Sequence, residues 1–402
     1  MLRIMRPTSA AKILSIVGIL AMLSGCAAVI PRAPGPPLSV LPADEIPLLI
    51  DESDVSSLED AIEQSLVYYE RLPNDRLVIF GPHSYTVEHL KNSLKNFLEI
   101  MHEELTPEER QKILQDRFIV YRSSPRKNLD GVLFTGYYAP LLHGSRVRTE
   151  SNLYPIYRTP DDYVVADLGR FRPDLKGRTI VGRIEGRTLM PYHSRREIDC
   201  EGRLEGKSYE IAWFDDPVDI FFLHIQGSGI VSFDDGSTIV VSYDAANGRP
   251  YRSLGGYFID RGILDWEGMS LPAIRRYLSK HPEEMWDILS HNESYVFFRV
   301  VENGPLGALN VPVTAGRTIA TDLSLYPRGA LAFIQVRQPL LDDEGEIQSW
   351  VRTSRFVVNQ DTGGAITGTG RVDLFCGAGA RAAVTAGHMK EIGELYFLVE
   401  RP

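Results

Sequence analysis

With 402 residues, 44% hydrophobic and 24% charged, the chain is too long for one small domain and apolar enough to bury a proper core. Its 43 Lys and Arg face 53 Asp and Glu, a formal net charge of −10, which makes nucleic acid a poor partner. Three cysteines are too few for a disulfide framework and show no metal-ligand spacing.

The N-terminus carries the first signal. Arg3, Arg6 and Lys12 precede an apolar run from Ile13 to Leu23, too short for the roughly 20 residues that span a bilayer. This is the layout of a secretory signal. The run ends in Leu23-Ser24-Gly25-Cys26, which resembles the bacterial lipobox, whose cysteine is lipidated and becomes the new N-terminus. Residues 1–25 then form a lipoprotein signal peptide with Cys26 as the lipidation site, and Ala27 behind it is similar to the pattern that sorts lipoproteins to the outer membrane. Removing residues 1–25 takes away Arg3, Arg6 and Lys12 and moves the net charge to −13. Residues 26–46 are rich in proline and read as an extended tether. Cys200 and Cys376 are then the remaining thiols, and buried, inert side chains are the default for both.

A helical block follows. Ser57 is placed to cap a helix with Leu58, Ile62, Leu66 and Tyr69 on one face. A second helix is expected from Thr86 to about Met101, and Thr106-Pro107-Glu108-Glu109 has the form of a capping box opening a third. From Arg117 to about Ser253 short β-type runs alternate with turns, as in a barrel or sandwich; "DIFFLHIQGSGIVSF" (219–233) is among them. Helices are expected over 271–279 and 282–290. Strands then return, interrupted by one helix over about 380–392. This order is that of a β-rich domain split by an inserted β-domain.

Two aspartates near the C-terminus invite chemistry. Asp361 stands in an Asp-Thr-Gly tripeptide, but an aspartic protease dyad needs two such loops, and Asp322-Leu323-Ser324 lacks the glycine. Asp373 lies in Val-Asp-Leu-Phe ahead of a glycine loop. Strand alternation puts it on one face with Phe375 and puts Val372 and Leu374 on the other. A carboxyl flanked by apolar residues is partly desolvated, holds its proton to higher pH and can act as a general acid. The alternative is a structural aspartate capping the next helix. Thr135, Gly136, Tyr137 and Tyr138 in "FTGYYAP", Gln226, Gly227 and Ser228 in "HIQGSG", and Asn247, Tyr251, Arg252 and Ser253 add the glycine-rich, aromatic and polar loops that suit sugars. His224, inside an apolar run, reads as a core histidine.

Together "FTGYYAP", "FFLHIQGSG", "ANGRPYRSLG", "SYVFFR", "GPLGALNVPVTAGRTIATDLSLYPRG", "QDTGGAITG", "VDLFCGAG" and "AGHMKEIGELYFL" resemble, in order, the membrane-bound lytic murein transglycosylase A family. The resemblance implies a mainly β fold with some α: N-terminal helices, a double-psi β-barrel from both chain ends (47–139 and 246–402) and an inserted second β-barrel domain (140–245). A 3D region, named for three aspartates, covers about 310–402. Asp373 matches the family's single acid/base, with Asp361 and Asp322 in support. Thr135, Gly136, Tyr137, Gln226, Gly227 and Ser228 are the expected substrate contacts.

The implied reaction is water-free cleavage of the β-1,4 bond between N-acetylmuramic acid and N-acetylglucosamine in peptidoglycan, with no metal or cofactor. The implied setting is the outer membrane, lipid-anchored and facing the periplasm, with glycan strands as the partner. Three rivals remain: a non-catalytic glycan-binding lipoprotein, a hydrolase using Asp361 or Glu394 as second carboxylate, and an enzyme using Cys376 with His388.

Overall fold

The computed structural model describes residues 36–125, 130–266 and 268–402. The expected signal peptide, Cys26 and the expected tether up to residue 35 lie outside the described residues. The tether joins the fold early, because the strand Leu38–Val40 (β1) pairs with Phe118–Ser123 (β4) and Leu38, Leu41 and Ile46 are buried.

The helical block forms as the caps dictate. Asp54, not Ser57, caps Val55–Glu70 (α1), accepting from the Ser57 amide at 2.7 Å. Ser57 sits in the first turn and instead accepts from the Arg317 Nε. After the hairpin Leu77–Phe80 (β2) and His83–Thr86 (β3), Thr86 caps Val87–His102 (α2), and the expected capping box opens Pro107–Arg117 (α3). These helices cover one side of the barrel, with Phe97 edge-on to Phe118 and Phe356.

The barrel is closed. Val132–Ala139 (β5) pairs in parallel with Arg371–Ala378 (β18), and Thr318–Ala320 (β15) bridges β18 to Ile347–Asp361 (β17). Leu331–Leu341 (β16) joins β17 to Lys390–Glu400 (β19), and β19 returns to β5. A closed ring of six strands leaves no open edge. Phe134, Ile319, Ala332, Val357, Val372 and Phe397 share its inner face, and Phe333 and Phe356 face the helices outside. The helix expected to reach residue 392 is Gly379–His388 (α9), and Lys390 onward is strand, closing the barrel.

The inserted region is also β-rich. Leu141–His143 (β6), Ser228–Ser232 (β12), Thr238–Ala246 (β13) and Val296–Val301 (β14) form one sheet. Tyr154–Tyr157 (β7) pairs with Glu210–Phe214 (β11), and Tyr163–Asp167 (β8), Thr179–Glu185 (β9) and Thr188–Pro191 (β10) form a third sheet. Helices Arg195–Asp199 (α4), Leu254–Asp260 (α6), Leu271–Lys280 (α7) and Met285–Ser290 (α8) pack around them. The pairing of β13 with β14 carries this sheet to Val301, beyond residue 245.

One segment departs from the expected strands. Pro217–Gln226 (α5) is a helix, capped by Asp216, with Pro217 in its first turn and Gly227 at φ 79° ending it. Its apolar residues point all round because it separates two cores. Ile220 and Leu223 face one, and Val218, Phe221 and Phe222 face the other. A run without amphipathic period does not distinguish buried helix from buried strand.

Arg317 locks the helical block to the barrel. It is 1% exposed and donates to Asp51 Oδ2 at 2.5 Å and to the Phe356 carbonyl at 2.7 Å. Asp51→Ala leaves this guanidinium buried without its carboxylate and is expected to destabilise the protein by about 3–5 kcal/mol, read as a lower denaturant midpoint.

Candidate active site

The site is set by strand register. The parallel pairing of β18 with β5 puts Asp373 opposite Thr135 and Phe375 opposite Tyr137. Val372 and Leu374, on the alternate face, are buried in the barrel. The Thr135 hydroxyl donates to Asp373 Oδ1, and the Arg371 Nε lies 3.5 Å from the same oxygen. The Asp373 side chain is 16% exposed, so a ligand can reach it although little water does. Burial pushes its carboxyl above the usual carboxylate range, with Arg371 and the Thr135 hydroxyl pulling it part of the way back.

Asp361, at the end of β17, has a different environment. Ala320 on β15 pairs with Asp361 on one side and Asp373 on the other. The two aspartates are thus two strand spacings apart, about 10 Å between backbones. Asp361 Oδ1 accepts from the amides of Ala308 and Thr362 at 2.9 and 2.8 Å, and Oδ2 accepts from the Tyr137 hydroxyl at 2.8 Å. Burial raises its pKa to about 6 despite these donors, with the Asp373 charge adding a smaller push. Like-charge repulsion between the two is therefore felt at Asp361, and burial is what raises Asp373.

Asp322 organises the approach to β18. It accepts from Ser324 and, through Oδ2, from the Gly368 amide at 2.7 Å. Burial alone would raise its pKa, but these donors outweigh it and the carboxyl lies below its ordinary range.

A cleft of about 600 Å³ opens over Asp373. Tyr137, Asp361, Phe375 and the loop 362–366 line it from the barrel, and Gln226, Tyr243 and Arg299 line it from the inserted region. The crossover segment 305–310 completes it, hung between Asp361 and Ser242, whose hydroxyl accepts from the Leu306 amide at 3.0 Å.

Not every expected contact faces this cleft. Gly136 lies on the opposite face of β5, where a Cβ would come within 2.7 Å of Ala386 on α9. Its smallness serves helix packing, as alternation between Thr135 and Tyr137 requires. Ser228 does line the cleft, but it is largely buried and its hydroxyl, 2.8 Å from Ser242, joins the anchor of the crossover. Gln226 and Gly227 do line the cleft, with Gln226 Oε1 accepting from the Tyr138 amide at 3.0 Å.

His224 is a buried histidine whose Nδ1 accepts from Arg195 at 3.0 Å. Cys200 and Cys376 are free, and burial raises the Cys376 thiol to about 12, which leaves no thiolate for chemistry. Glu394 is engaged by Arg122 at 3.1 Å and does not line the cleft. Arg371 was not singled out from sequence; its position two residues before Asp373 on the same strand face is the signal that finds it.

Fold and site define a mainly β protein with a closed six-strand barrel, a cleft over its β5–β18 pairing and one available buried carboxyl. The family descriptions "MltA specific insert domain" and "3D domain" match residues 133–299 and 317–399. The membrane-bound lytic murein transglycosylase A of Escherichia coli is 35% identical over 278 residues, 68% of this chain and 67% of that protein. The same-named Vibrio cholerae protein is 30% identical over 270 residues, 66% of this chain and 65% of that one. The solved membrane-bound lytic murein transglycosylase of Agrobacterium tumefaciens superposes with TM-score 0.74 at 30% identity, covering 90% of this chain and 98% of that one. E. coli MltA solved with bound chitohexaose gives TM-score 0.66 at 27% identity, covering 91% and 95%. The chain belongs to the membrane-bound lytic murein transglycosylase A family.

The Thr135 hydroxyl stabilises the charged form of Asp373, so removing it raises the aspartate's pKa further. Thr135→Val is expected to shift the alkaline limb of the kcat/KM profile to higher pH, checked by pH–rate measurement beside the parent protein.

Proposed function

We propose that this protein cleaves the β-1,4 bond between N-acetylmuramic acid and N-acetylglucosamine in peptidoglycan without using water. Asp373, protonated in its desolvated site, donates its proton to the glycosidic oxygen as the C1–O bond breaks and positive charge develops at C1. The resulting carboxylate then takes the proton of the muramic acid C6 hydroxyl, whose oxygen bonds to C1. The products are a free 4-hydroxyl on one side and a 1,6-anhydro ring on the other, and Asp373 ends protonated as it began. The nucleophile is part of the substrate, so most of the entropy of bringing it to C1 is already lost.

The observation that carries this reading is the unequal state of the two aspartates. Asp373 reaches the cleft with only Thr135 and Arg371 as partners, whereas both oxygens of Asp361 are occupied by Ala308, Thr362 and Tyr137. A hydrolase with two carboxylates needs a second one free to activate water or attack the sugar. Asp361 and Asp322 instead hold the loops that shape the cleft. Gln226 and Tyr137 line the cleft where a sugar would pass, with Tyr137 fixing Asp361 and Thr135 fixing Asp373.

The domain division follows from the same reading: a barrel built from both chain ends and an inserted unit that supplies the facing wall. A lipid on Cys26 would hold the protein at the outer membrane with the cleft in the periplasm. Among the described residues no helix is long and apolar enough to cross a membrane.

Asp373→Asn keeps the shape but lacks the transferable proton. It is expected to lower kcat by about 10²–10⁴-fold with little change in glycan binding, measured as release of soluble muropeptides from purified sacculi. Because the acid form is required, kcat/KM of the parent should fall as pH rises through the raised pKa of Asp373.

A further inference from the structure

A second, smaller cavity of about 220 Å³ opens in the inserted region, apart from the cleft. Its wall comes from β7 and β11, where Trp213 pairs with Pro155, from Trp286 on α8, and from Asp199 closing α4. The rings of Tyr154 and Trp286 stand 5.8 Å apart at 54°, forming an angled aromatic corner. The Arg148 guanidinium lies 5.6 Å over the Trp213 ring and forms a 2.6 Å ion pair with Glu205 at the rim.

We propose that this cavity is a second carbohydrate site, which binds a single pyranose unit of a glycan strand. The inference rests on the glycan-cleaving reading above and extends it to a second contact with the same polymer. Aromatic faces cover the apolar C–H surface of a sugar ring, and the flanking carboxylate and guanidinium groups serve its hydroxyls. An ammonium ligand is a poorer match because both carboxylates already have cations: Asp199 has Arg195 at 3.5 Å, and Glu205 has Arg148. The volume lies below the roughly 300–1,000 Å³ of sites for drug-sized ligands, which suits one ring and not an oligosaccharide.

The two sites share their partitions. Pro217 and Ile220 at the start of α5 line the small cavity, and Gln226 at its end lines the cleft, roughly 14 Å along the helix. Arg195 also joins them, touching Asp199 in the cavity and His224 in the cleft wall. A strand held in the small site keeps its neighbouring bonds near Asp373 and raises their effective concentration there.

Tryptophan fluorescence can separate the sites. All four tryptophans, Trp213, Trp266, Trp286 and Trp350, are described; two line the small cavity and none lines the cleft. The full chain carrying Asp373→Asn is titrated with triacetylchitotriose by calorimetry and by fluorescence. Two binding events are expected, one of them matching a saturable fluorescence change. Trp286→Ala should weaken that event about tenfold and leave the other intact. The half-exposed Glu205→Gln, which spares the core, should weaken the same event. In the otherwise native chain Trp286→Ala should raise KM on sacculi without changing kcat on short soluble glycans. A single event that survives both substitutions, with no fluorescence change, overturns the second site and leaves the cleft reading standing. Absence of any binding event overturns both.

Discussion

The structure depends on one pairing, the parallel contact of β18 with β5. It joins residues 238 positions apart, Thr135 and Asp373, and it closes the barrel at the point where the inserted region departs. Such long-range parallel contacts are entropically costly to form and need burial on both faces. Val372 and Leu374 meet that requirement inside the barrel, while the alternate positions are left for the cleft. Burial of the pairing's inner face and desolvation of Asp373 are thus two consequences of the same register.

The aspartates divide the work around it. Asp322 draws in Gly368 just before β18, and Asp361 gathers Ala308, Thr362 and Tyr137. The crossover that returns the chain from the inserted region is fixed at both ends, to Asp361 on the barrel and to Ser242 on the insert. Asp373 is the member of the three whose acceptor capacity is not consumed by backbone amides.

Much of this was legible in the residues. Thr86 and Thr106 announced their helices through local capping, which needs no tertiary context. Alternation around Asp373 identified its face. Where reading failed, the deciding contacts were distant. The apolar run at 217–226 is a helix because two separate cores receive its two sides. Gly136 serves the packing of α9, a partner that local sequence does not reveal. The aromatic corner at Tyr154 and Trp286 is assembled from segments more than a hundred residues apart and carries no motif.

The central claim is that the substrate's own hydroxyl replaces water at C1. Digestion of purified sacculi in ¹⁸O-labelled water, followed by mass spectrometry of the released muropeptides, tests it most directly. Products ending in 1,6-anhydromuramic acid and free of label are the predicted result. Reducing ends carrying ¹⁸O would contradict the account and restore a second catalytic carboxylate.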